Sequence, residues 1–208
     1  MKKAIRHFII EKARDIFQLK GYTNTTIEDL AQEADISKPT LYKYFNGKDD
    51  IFRAVVDLSN DEYDAMLAPL FDSPDPFPEK LKKLTYSILN QVNKNRGILK
   101  IAFHESHMFI EAIDKNDFGG IDRFLKAIEK RVKFYKIIFQ EGMESGYIDK
   151  NVPLDLIPIF YSGILGEFSL AYILGKERMA DLNLHQLTDH ITRIMSRGIM
   201  NDKKRHDF

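Results

Sequence analysis

The chain has 208 residues, 31 basic against 31 acidic side chains, a formal net charge of +0 and 44% hydrophobic residues. That is enough apolar material for one large domain or two smaller ones, and too little net charge for a non-specific coat on nucleic acid, so positive charge has to be concentrated locally. Cysteine is absent, which excludes disulfides, thiolate metal sites and a Cys nucleophile.

The first helix carries Ile5, Phe8, Ile9, Ala13, Ile16 and Phe17 as its buried stripe and stops at Gly21. Lys2, Lys3 and Arg6 make its start basic. Glu11, Lys12, Arg14 and Asp15 interrupt any apolar core that a signal peptide would need. The expected location is therefore the reduced cytoplasm.

The stretch from Thr25 to Phe45 reads as two short helices joined by a tight turn. Thr25-x-x-Glu28 is a capping-box start. Ile27, Leu30, Ala31 and Ala34 form one apolar face. Asp35 tolerates a left-handed backbone, and Ile36 returns to the core. Ser37 caps the second helix, with Pro39 in its first turn. Leu41 and Phe45 anchor that helix. Its other face shows Lys38, Thr40, Tyr42, Lys43 and Tyr44. Donors, hydroxyls and flat rings on one short exposed helix suit a groove lined with phosphates and base edges.

A fourth helix begins near Lys48 and runs through Ile51, Phe52, Val55 and Val56 toward Met66. Asp49 and Asp50 favour its positive start. Pro69, Pro74, Pro76 and Pro78 then mark the passage between domains, which divides the chain into residues 1–65 and 66–208. Leu81, Leu84, Ile88 and Val92 belong to a helix that ends near Gly97. Another covers Ile98 to Ile113 and ends before Gly119-Gly120. A long amphipathic helix follows through Phe124, Ile128, Val132, Tyr135, Ile138 and Phe139, and fades at Gly146. No run alternates as a strand would.

The segment from Leu154 to Leu174 is apolar on nearly all sides and is long enough to span a membrane. Pro158, Gly163, Gly166 and Glu167 interrupt it, and basic or aromatic flanks of the expected kind are missing. A helix apolar all round is also one buried by its own fold and a second subunit. That reading is preferred, with no membrane partner. The last helix covers Leu184 to Ile199, and Asn201 to Arg205 reads as a solvated tail.

Catalytic signals are weak. His104-Glu105-Ser106-His107 has the wrong spacing for the zinc-protease helix motif, and no third metal ligand is evident. Phosphate-binding glycine loops, a nucleophile elbow and paired carboxylates are missing. The expectation is a protein without enzymatic activity, metal or cofactor.

Gly21-Tyr22, Thr25-Thr26-Ile27-x-Asp29-Leu30-Ala31, Ala34-x-Ile36-Ser37-Lys38, Thr40-Leu41-Tyr42-x-Tyr44-Phe45 and Lys48-x-x-Ile51 together resemble the TetR family of transcriptional regulators. The likeness covers roughly the first 60 residues. Asp35 and Pro39 stand where that family usually and often, respectively, has Gly. The resemblance implies an all-α fold, with an N-terminal three-helix helix-turn-helix DNA-binding domain and a C-terminal helical ligand-binding and dimerisation domain. It implies DNA contacts from Thr26, Ser37, Lys38, Thr40, Tyr42, Lys43, Tyr44 and Lys48. An apolar or aromatic effector would sit among Phe103, His104, His107, Tyr135, Phe139, Tyr161 and Phe168. Phe160, Ile164, Phe168, Leu187, Ile191 and Ile194 would pair two subunits. The implied function is sequence-specific regulation by a ligand-responsive repressor, a homodimer on a palindromic operator. The rival reading is a helical small-molecule-binding protein or enzyme with a vestigial helix-turn-helix.

Overall fold

A computed structural model describes residues 2–99, 118–173 and 183–199, and side chains within that set except those of 118–125 and 197–199. The Ile98 to Ile113 helix and the basic tail fall largely or wholly outside it. The described helices are α1 (Lys2–Lys20), α2 (Ile27–Glu33), α3 (Lys38–Tyr42), α4 (Lys48–Leu67), a 3-10 turn (Ala68–Leu70), α5 (Phe77–Lys94), α6 (Phe118–Glu144), α7 (Leu156–Ile173) and α8 (Leu184–Ile199). They form two compact units. The first holds residues up to Asp64 and takes in 95–99; the second holds the other described residues.

In the first unit, α1 buries Ile9, Ile10, Ala13, Ile16 and Phe17. Phe8, expected in that stripe, is 45% exposed. At 100° per residue it lies about 100° from Ile9, off the face centred on Ala13, and Ile10 takes the place on the other side. Gly21 ends the helix at φ +78, where a side chain would be strained. The core then closes with Leu30, Ala31, Leu41, Phe45, Ile51, Val55 and Ile98. Each large aliphatic or aromatic side chain removed from water contributes about 1.5–3 kcal/mol. Phe17 meets the edge of Phe52 at 5.4 Å, and Tyr22 closes the ring cluster at 5.0 Å from Phe52.

The cap of α2 is one residue later than expected. Thr26, not Thr25, accepts the Asp29 N–H at 3.1 Å, and the Asp29 carboxylate accepts the Thr26 N–H at 2.9 Å. Both Thr-x-x-acid registers are present in the sequence. Thr25 is buried and donates its hydroxyl to the Gly21 carbonyl at 2.6 Å, so it is committed to the end of α1. Asp29 holds its carboxyl at about 2, against an ordinary 3.8, chiefly through the Lys20 ammonium and then the Thr26 N–H. A folded-state value below the unfolded one stabilises at pH above about 4 and is lost as pH falls toward 2. The melting deficit of Asp29→Asn, measured against wild type, is therefore expected to shrink between those limits. A deficit constant with pH would separate the cap from the charge.

In the second unit, α5 packs against α6, α7 and α8, and α6 packs against α7. The proline-rich break is shorter than the sequence implies. Phe77 and Pro78 already lie in the first turn of α5, where a missing N–H costs no helix bond. Likewise Gly119-Gly120 falls inside the start of α6 and not before it. A Cβ on Gly142 would come within 2.6 Å of the Phe77 ring, so α6 approaches α5 with that ring filling the space. Beside it, buried Lys80 donates to both Glu141 carboxylate oxygens at 2.8 Å. Tyr86 stacks on His185 at 4.6 Å, which ties α5 to the start of α8. α7 buries Ile157, Pro158, Tyr161, Leu165 and Ile173. It is the one described helix long and apolar enough to cross a membrane.

Candidate nucleic-acid interface

Two turns of backbone set the recognition surface. After α2 the chain reverses at Asp35, the one described non-glycine residue with positive φ, at +51. The reversal is tied by the Ile36 N–H donating to the Ala31 carbonyl at 3.0 Å. Ile36 packs against the core. Ser37 then starts α3, its hydroxyl accepting the Thr40 N–H at 3.3 Å. Leu41 and Phe45 are buried and hold α3 down. The arrangement is a helix-turn-helix whose second helix keeps one face free.

That face carries Lys38, Tyr42 and Lys43, all exposed, with Tyr42 at 55%. Lys38 forms an ion pair with Glu28 of α2. Such an exposed pair is worth little and can open to a stronger anion. Thr40 is half-buried, and its hydroxyl lies 2.9 Å from that of Ser37. Tyr44 is also half-buried and leans on the core. Thr26 and Ser37 sit at the N-termini of α2 and α3 as capping side chains. Pro39, exposed in the first turn of α3, offers no backbone N–H. Donors on this face therefore come from side chains.

Lys48 is placed differently from a free phosphate hook. Its ammonium donates to the Tyr22 carbonyl at 3.0 Å and the Thr25 carbonyl at 2.9 Å, and lies 4.4 Å over the Tyr22 ring. The Tyr22 hydroxyl in turn donates to Asp49. The sequence pattern missed this latch because its partners lie 23 and 26 residues away, with no periodic signal between them. An ammonium has three donors, so one stays available to a phosphate. Lys48→Ala is expected to lower the melting temperature, because two carbonyls lose their donor. It should also weaken binding to all DNA sequences alike and reduce the salt slope by about one. A change in which sequence is preferred would assign Lys48 to base reading instead.

Arg6 also joins this region, with its guanidinium 4.8 Å over the Phe45 ring. It reaches from the basic start of α1 to the end of the recognition segment.

The remaining candidate residues separate into four groups. Tyr135, Phe139 and Tyr161 come together as packed core: Tyr161 meets Tyr135 edge-on at 5.1 Å and Phe139 at 5.2 Å. The Tyr161 hydroxyl lies 2.9 Å from that of Thr85. Burial holds its ionisation well above the ordinary value, with Tyr135 adding to the effect and the Thr85 bond opposing it. Phe160, Ile164 and Phe168 share the outward face of α7, with Ile159, Gly163 and Glu167, around a shallow apolar depression. On α8, Ile194 points outward, whereas Leu187 and Ile191 are buried within the protomer. Phe103, His104 and His107 lie outside the described residues. No cluster of metal-ligating side chains occurs among the described residues.

Residues 9–55 match the family model for bacterial regulatory proteins of the tetR family. Over 200 residues the chain is 22% identical to an uncharacterized HTH-type transcriptional regulator, YvkB, of Bacillus subtilis (strain 168), covering 93% of this chain and 96% of that one. It is 21% identical over 206 residues to the probable acrEF/envCD operon repressor of Escherichia coli (strain K12), covering 91% and 86%. A TetR-family regulator structure from Mesorhizobium loti superposes with a TM-score of 0.73 at 18% identity, covering 97% of this chain and 99% of that one. The likeness to that structure extends through both units.

Proposed function

The chain belongs to the TetR family of transcriptional regulators, and from that premise we propose that it acts as a homodimer on an inverted-repeat operator. The observation that carries the proposal is the outward face of α3. Leu41 and Phe45 are buried, while Lys38, Tyr42 and Lys43 stand in solvent. Long cationic and aromatic side chains on a helix of that width fit the major groove, where base edges carry an unambiguous donor and acceptor code. Thr26, Ser37 and Thr40, at helix starts, suit phosphates that flank the groove. Lys48 is the positioning residue, and Tyr44 supports α3 from below.

Two identical heads reading a palindrome need half-sites about 34–36 Å apart or a multiple of that. Pairing through the outward faces of α7 and α8 would supply a fixed separation. Two observations favour these faces: Phe160 and Ile194 are exposed, and α7 presents a shallow, mainly apolar depression around Gly163, with Glu167 in its lining. Regulation by a small apolar or aromatic effector is favoured by the aromatic content of the second unit, although Tyr135, Phe139 and Tyr161 themselves pack on one another. Such an effector must bind one head arrangement more tightly than the other to act as a switch. Repression is the regulatory sense in the name of the E. coli relative, and we assign it to this chain on that likeness. Its site of action is then the compartment that holds the DNA.

Footprinting on the DNA upstream of the chain's own coding sequence tests the reading. A protected inverted repeat, outcompeting unrelated DNA by about 10³-fold or more, is expected. Equal affinity for every fragment would leave only a helical protein that no longer reads DNA.

A further inference from the structure

We infer that the side-chain amide of Gln91 is the polar contact for a small ligand that carries an uncharged carbonyl oxygen on an apolar body. The inference rests on the effector reading and adds the ligand's chemical class and its anchor.

Among the described residues, the Gln91 amide nitrogen is the side-chain nitrogen or oxygen that is shut off from solvent and has no hydrogen-bond partner. A buried donor left unmade destabilises the fold that holds it, and Leu or Met would fill the same volume without that cost. The position on α5 makes the anomaly sharper. At 100° per residue, Gln91 lies about 20° from Leu84 and about 60° from Ile88, and both of those are buried. Gln91 therefore belongs to the inward stripe of α5. Lys80 lies on the same edge, about 16 Å back along the axis. Its ammonium donates to both carboxylate oxygens of Glu141. Thr85, between them, is occupied by Tyr161 and by the Leu81 carbonyl. Of these three polar side chains on α5, Lys80 and Thr85 are paired within the protein and the Gln91 amide nitrogen is not.

The donor type narrows the ligand. A primary amide is uncharged and offers two N–H groups. An ionised carboxylate would gain only a neutral hydrogen bond from that amide, against a high desolvation cost. A ketone, ester or amide carbonyl accepts the same hydrogen bond without one. Leu84 and Ile88, buried on the same stripe of α5, leave the rest of the ligand apolar.

The test uses the full chain, as wild type and as Gln91→Leu, with three probes of one shape: 2-acetylnaphthalene, 2-ethylnaphthalene and 2-naphthoate. Melting temperature and titration calorimetry are measured for each. Wild type is expected to bind the acetyl compound about fivefold more tightly than the ethyl compound, the worth of one neutral hydrogen bond. Gln91→Leu should bind those two equally. Without ligand it should melt at the wild-type temperature or above, because an unpaired donor has been removed. An acetyl preference that survives in Gln91→Leu overturns the inference and leaves the effector reading standing. So does 2-naphthoate as the tightest of the three. A ligand-free Gln91→Leu that melts several degrees lower would make the amide part of the fold and overturn it as well. If no probe shifts wild type, the apolar effector reading fails and takes the inference with it.

Discussion

Phe160→Glu is expected to give a folded monomer that no longer holds its operator. Phe160 is 64% exposed on α7, beside Ile159 at 57%, and Ile194 on α8 is exposed to the same degree. Large apolar side chains left this exposed, on α7 around a shallow apolar depression, mark a surface that another surface covers. In the free protomer a glutamate at 160 meets only water, so stability should change by no more than about 0.5 kcal/mol. In the dimer the same carboxylate would be buried without a partner, a change that costs about 3–5 kcal/mol. That weakens pairing by roughly 10²- to 10⁴-fold. One head on one half-site keeps little more than non-specific affinity. Sedimentation across the micromolar range measures the first effect, and a gel shift with the palindrome measures the second. A stable Phe160→Glu dimer would move the interface off α7. Ile191→Glu is the control on α8. Ile191 is fully buried inside the protomer, so its replacement should unfold the second unit and be visible by circular dichroism before any question of assembly arises.

Tyr42→Ala should lower operator affinity by about 1–3 kcal/mol, or roughly ten- to a hundredfold, and leave the melting temperature unchanged. The side chain is 55% exposed and makes no core contact that a cavity would replace. Lys43→Ala should behave in the same way, with part of its effect removed by salt. Leu41→Ala, one position before, is expected to do the opposite. It empties a fully buried site and should cost about 2–5 kcal/mol of stability, with DNA affinity lost only as the fold is lost. Fluorescence anisotropy with labelled operator, run beside thermal melts, separates the two patterns. If Tyr42→Ala and Lys43→Ala both bind as wild type does, the reading face of α3 is wrongly assigned.

Features governed by neighbours in the chain were legible from the sequence. Gly21, Asp35, Ser37 and Pro39 act through local backbone conformation, and each does what its chemistry dictates. Leu41 and Phe45 follow helical spacing and are buried as expected. Features decided by tertiary partners were less legible. Thr25 and Thr26 compete for one cap, and the outcome depends on the Gly21 carbonyl, which takes the Thr25 hydroxyl. Lys48 depends on carbonyls more than twenty residues away. Periodicity shows that Leu187, Ile191 and Ile194 are apolar on one helix, but it does not say which side meets α5 and which is left outside. Tyr135, Phe139 and Tyr161 illustrate the same gap. Aromatic residues at helical spacing can line a space or fill it, and here these three pack on one another.

Gly142 and the Phe77 ring have a mechanical meaning for the second unit. A ring seated where a side chain is missing works as a notch and tooth: α6 cannot slide along α5 without first lifting the ring out. The Lys80 and Glu141 pair, next to that notch, resists rotation as well as sliding. At this end the two helices are a clamped joint, and they must travel as a single lever.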